Sequence, residues 1–152
     1  MAGAVTPAAF DPKPIVLGTV IDMIAGAAIL SGDVVAFKST STEDWTVYSA
    51  DSDGTGNGAP IGVALHSAST GQYVSVAAYG SLILVREGNT TAMAAGVQLK
   101  PSTSAGCVVP AITTNSGGAE SLVIGTSITS GDAAGTFYML VNGPHLKPKG
   151  KA

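Results

Sequence analysis

The chain has 152 residues, 45% of them hydrophobic, 11% charged and 5% aromatic, with a formal net charge of −3. That length fits one domain, the shortage of Glu, Lys and Arg argues against a helical bundle, and the low net charge argues against disorder. No apolar run approaches the ~18 residues of a membrane-spanning helix, the N-terminus reads as lacking a secretory leader, and Cys107, the single cysteine, leaves no intrachain disulfide or Cys-based zinc site.

Residues 1–14, with Pro7, Pro12 and Pro14, read as an extended arm, because proline fixes φ and removes donors a helix would need. From Ile15 the pattern turns to β. Ile15–Ile21, Asp33–Phe37 and Trp45–Tyr48 are expected strands, and Asp51–Gly58 is a loop by composition. Further strands are expected at Ile61–Leu65, Tyr73–Tyr79, Leu82–Val85, Val97–Lys100, Val108–Thr113, Leu122–Ser127 and Thr136–Val141. The one helical candidate is a turn at Thr91–Ala95. Short strands joined by glycine-bearing turns predict an all-β fold, a small barrel or sandwich spanning residues 15–143. Residues 144–152 read as a basic, flexible tail, since Lys147, Lys149 and Lys151 crowd the end and leave the body more acidic than the whole.

The chain also resembles itself. A displacement of 63 positions lays Ile61-Gly-Val-Ala-Leu-His-Ser67 on Ile124-Gly-Thr-Ser-Ile-Thr-Ser130, and Tyr73–Gly80 on Thr136–Gly143. A displacement of 64 positions lays Ala28–Gly32 on Ala92–Gly96. Matches among Ala, Gly and Val arise easily by chance, so an internal duplication, with repeats at 21–80 and 86–143, is carried as an expectation.

Residues able to carry chemistry are few. Asp51-Ser-Asp53-Gly-Thr55 begins like a calcium loop, but position 12 is Gly62 where a bidentate Glu belongs, so a plain hairpin loop is expected and no metal. His66 adjoins Ser67, yet neighbours on a strand point to opposite faces, so no base–nucleophile pair is expected. Glu43 and Asp44 read as solubilising charges. Trp45, Tyr48, Tyr73, Tyr79, Phe37, Phe137 and Tyr138 would suffice for a stacking platform, but at this density they read as core anchors. Nothing predicts a catalytic residue or a cofactor, and the acidic body offers no groove for nucleic acid.

Ser31-Gly-Asp-Val-Val35, Ala59-Pro-Ile-Gly-Val-Ala-Leu65, Thr70-Gly-Gln-Tyr-Val-Ser-Val76 and Gly80-Ser-Leu-Ile-Leu-Val85 follow one another in an order similar to the capsid decoration (cement) proteins of tailed phages. The proline-rich arm resembles that of lambda-type head decoration proteins, although this chain is longer. The resemblance implies a β-clip or β-tulip barrel. It also implies a non-enzymatic virion protein on the outer capsid surface, a homotrimer that bridges major capsid subunits. Its partners would be the major capsid protein and itself, with no nucleic acid, membrane or small-molecule substrate. The arm would add a strand to capsid protein, with Val5, Thr6, Pro7, Phe10, Pro12 and Pro14 as its contacts. The competing readings are a head-fibre or glycan-binding module, a tail-tube component, and a small hydrolase built on His66.

Overall fold

The computed structural model describes residues 8–40, 42–88, 92–111, 121–132 and 134–147. They form ten strands: β1 (Val20–Ala25), β2 (Val34–Ala36), β3 (Thr46–Ser49), β4 (Pro60–Ala64), β5 (Tyr73–Ala77), β6 (Leu82–Arg86), β7 (Gln98–Pro101), β8 (Val108–Pro110), β9 (Ser121–Ser127) and β10 (Thr136–Lys147). No helix occurs among the described residues, and the expected all-β fold with a small barrel is what the chain adopts.

Strands β1 to β5 close into a barrel in the order β1-β3-β2-β4-β5. Only β1 and β3 run parallel in it. Strands β6 to β10 form a sheet in the order β6-β10-β9-β7-β8, whose end strands meet through a single parallel bridge, Glu87↔Val108. Read through that bridge the order is β6-β8-β7-β9-β10, which repeats the first half strand for strand. The registers repeat as well. Met23 faces Val74 as Val85 faces Phe137, and the bridge Ile29↔Ala68 recurs as Met93↔Gly131. Gly32 and Gly96 take left-handed turns, φ +88° and +80°, at matching places ahead of β2 and β7.

Alternation along the strands builds two cores. The barrel interior holds Met23, Val35, Val47, Val74 and Val76 around Ile29. Outward residues of the barrel wall, Val34, Ala36, Val63 and Ala77, join Ile83, Val85, Leu99, Ile124, Phe137 and Met139 in a second core between the halves. Strand β2 and the Val63-Ala64 and Val76-Ala77 ends of β4 and β5 are therefore buried on both faces, which explains why Val and Ala stand side by side there.

The strand expected at Ile15–Ile21 is divided. Gly18 lies so close to the turn after β5 that a Cβ there would sit 2.8 Å from Gly80 Cα, and the chain changes partner at this point. Residues before it pair with β6: Ile15 and Val16 N–H donate to Leu82 O at 2.9 and 3.3 Å, and Leu82 N–H donates to Val16 O at 2.9 Å. Residues from Val20 onward pair with β5. Of the helical candidate, Thr91 lies outside the described residues, and Met93 is in a β-bridge. Strand β10 runs beyond residue 143 to Lys147, with a bulge between Val141 and His145, so 144–147 belong to the sheet. The rest of the expected tail, 148–152, lies outside the described residues.

Candidate functional site

The residue pairs that could suggest catalysis are spoken for. His66 Nε2 accepts the Ser75 N–H at 3.1 Å, and Nδ1 lies 3.1 Å from Ser67 O, so Nδ1 carries the proton. Ser67 Oγ accepts the Ser31 N–H at 2.9 Å instead of meeting the imidazole. In the 51–58 loop, Asp51 Oδ1 accepts the Asp53 N–H at 3.2 Å, a turn closed on itself. Burial, with the neighbouring Asp53 carboxyl, raises the Asp51 pKa.

Of the arm residues, Val5, Thr6 and Pro7 lie outside the described residues. Phe10 and Pro12 are placed against the body. Phe10 exchanges main-chain and side-chain bonds with Ser31, its N–H donating to Ser31 O at 3.1 Å and its carbonyl accepting from Ser31 Oγ at 2.9 Å. Its ring covers Gly32, where a Cβ would meet ring atoms at 2.6 Å or less. The Arg86 guanidinium lies over that ring, 4.7 Å from its centroid, and Arg86 Nη2 donates to Ala8 O. Pro12 is buried and its carbonyl accepts the Leu84 N–H at 2.9 Å, whereas Pro14 is exposed.

Beneath this anchor sits a buried polar cluster. Asp33 Oδ2 accepts from Ser49 Oγ at 2.6 Å and from the Leu30 N–H at 3.1 Å. Burial pushes the Asp33 carboxyl above the usual range, outweighing those bonds and the attraction of Arg86. Cys107 is fully buried beside it, and burial likewise raises its thiol pKa against the pull of Arg86. Glu87 is buried and raised by desolvation alone.

Most of the aromatic residues are anchors. Phe137 is in the core, and Tyr48 is buried with its hydroxyl donating to Glu43 Oε2 at 2.6 Å. Three are not. Tyr79 is 65% exposed beside the apolar strip Ile15, Val16 and Leu17, while Trp45 and Tyr73 are 63% and 72% exposed at one end of the barrel. Ile24 joins these last two, facing Tyr73 across β5 and donating its N–H to Trp45 O at 2.7 Å. Trp45 also has φ 59°, a left-handed conformation that bulky side chains avoid. It borders an open apolar pocket of about 340 Å³ lined by Ile21, Met23, Phe37, Asp44 and Ile61. Neither the Arg86 anchor nor the conformation of Trp45 was expected from the sequence. The repeat carries a signal for the second, because Gly106, also left-handed at φ 79°, stands ahead of β8 as Trp45 stands ahead of β3.

The head fibre gp8.5 N base of bacteriophage phi29 shares this fold, with a TM-score of 0.54 at 15% identity, over 86% of this chain and 98% of that one. No curated protein matches the chain. A family model described as phage cement protein matches residues 15–142, nearly the whole described body. The chain belongs to the phage cement protein family.

Proposed function

We propose that the protein binds the outer surface of an icosahedral capsid as a homotrimer and stabilises the shell by bridging major capsid subunits. The family match over residues 15–142 carries this reading. The arm supports it: residues 8–16 are seated on the body through Phe10, Pro12 and Val16, and Val5, Thr6 and Pro7, which lie outside the described residues, are proposed to pair with a capsid strand. The exposed strip of Ile15, Val16, Leu17 and Tyr79 is apolar surface that a trimer contact would cover.

Electron microscopy of capsids lacking this protein, with and without the purified chain added, tests the reading. Density on the outer surface is expected, and its absence rejects the proposal. Deleting residues 2–7 should weaken attachment strongly and leave melting unchanged. Light scattering should give a trimer that Leu17→Asp dissociates; a monomeric wild type that stays monomeric on capsids rejects the trimer. A second reading, a head-fibre or glycan-binding module, draws on Trp45 and Tyr73 exposed at one end of the barrel. Binding on a glycan array that is lost in Trp45→Ala would favour it.

A further inference from the structure

The repeated topology allows one half to be read against the other. In β6, alternate residues turn their main chain away from β10, and the arm takes that edge: Leu82 and Leu84 N–H donate to Val16 O and Pro12 O, both at 2.9 Å. The matching registers make Val20 and Asp22 of β1 the counterparts of Leu82 and Leu84. Strand β1 gives its other edge to β3 only at Ile24 and Ala25. Ile24 N–H reaches Trp45 O there, and nothing among the described residues pairs with the outward main chain of Val20 and Asp22. The first half thus keeps open the edge that the second half has filled.

Three features beside that edge suit an incoming strand. The pocket lined by Ile21, Met23, Phe37, Trp45 and Ile61 opens next to it, whereas Ile83 and Ile124, the counterparts of Ile21 and Ile61, are fully buried between the halves. Trp45 is held exposed in a strained conformation where the second half has Gly106, so the side chain there is retained against its backbone preference. Asp44 lines the pocket and is exposed. Asp22 is exposed on the opposite face of β1 from Ile21 and Met23, where its Oδ1 accepts from Ser75 Oγ at 2.8 Å. An acidic residue on each side of the edge favours a basic partner. Among the described residues, the chain's own terminal segments are already used: residues 8–16 lie along β6 and near Arg86, and β10 is paired with β9 through Lys147.

We propose that the outer edge of β1 and the Trp45 pocket form a docking groove for an extended segment of the major capsid protein. The segment adds antiparallel to β1, as the arm does to β6, places an apolar side chain in the pocket and presents Lys or Arg to Asp22 and Asp44. This rests on the capsid-binding reading above and adds a contact separate from the arm.

The test is cosedimentation of the purified full-length protein with capsids of its phage that lack it, using wild type, Asp22→Pro and Trp45→Gly. Asp22→Pro removes an outward N–H and leaves the β1–β5 bonds of Ile21 and Met23 in place. Trp45→Gly installs the residue of the other half. Each is expected to bind at least about tenfold more weakly with trimer mass unchanged, melting being held in Asp22→Pro and held or raised in Trp45→Gly, which relieves the left-handed backbone. Hydrogen exchange on unmodified protein should show Val20 and Asp22 amides gaining protection on capsids. If wild type binds and both variants bind equally, with those amides unprotected, the groove is wrong and the capsid-binding reading stands. If the variants instead break up the free trimer, the edge is a contact between copies and the proposal is overturned. If wild type does not bind, the capsid-binding reading fails and takes this occupant with it.

Discussion

Asp33 and Glu87 are carboxyls kept where the charged form is poorly solvated, and burial raises the pKa of both. The unfolded chain gives up these protons at a lower pH than the folded one. Between the two pKa values the folded state holds more protons, so stability falls as pH rises through that window and stays lower above it. Acidifying from about pH 7 to about pH 4.5 is therefore expected to raise the melting temperature, and Asp33→Asn with Glu87→Gln should flatten the rise. A melting temperature that falls over this range, with the double variant matching wild type, would contradict the assignment. Cys107 shares the burial and a raised thiol pKa, so iodoacetamide should label it only once the protein is unfolded. Labelling at the rate of a free thiol in the native state would show the cluster to be open.

Among the elements, the arm shows how far local pattern reaches. Most strands were legible, because alternation and glycine turns are local signals: β2, β3, β4 and β9 lie within a residue or so of their expected positions. The division at Gly18 was not legible, since it depends on the Tyr79–Gly80 backbone meeting it from a distant part of the chain. The seat of Phe10 was hidden for the same reason. Its partners, Ser31, Gly32 and Arg86, are remote in sequence, and nothing about Pro7, Pro12 or Pro14 tells a free arm from a docked one. Phe10→Ala removes ring burial and the contact with Arg86, together worth about 1–3 kcal/mol. A melting temperature lower by several degrees is expected, with faster exchange at the Leu82 and Leu84 amides that face the arm. An unchanged melting temperature would mean that residues 8–14 only rest on the body. The edge of β1 at Val20 and Asp22, unpaired among the described residues, carries no local sequence signal, because it is recognisable only against the paired edge of β6 in the other half.

At the scale of the whole molecule the two halves share a core instead of lying side by side. Val34, Ala36, Val63 and Ala77 project from the barrel wall into the same cluster as Ile83, Ile124, Phe137 and Met139 of the sheet. Neither set can be exposed alone without placing the other in water, so each half supplies the surface that buries its neighbour. Val63 is the sharpest probe, being fully buried on the sheet side of a wall whose next residue, Ala64, faces the barrel interior. Val63→Ala should cost about 1–3 kcal/mol through lost contacts and a residual cavity. The cost should reach both halves, with amides of β5 and of β9 losing protection by the same factor. Calorimetry should still give one transition whose enthalpy equals the van't Hoff value. If β5 loosens while β9 keeps its protection, or if two transitions separate, the halves are joined beads and the shared cluster contributes little. A single transition would instead mean that the shared core couples the barrel to the sheet, so that loosening at the arm root on β6 is felt in both halves, as the proposed capsid-bridging role requires.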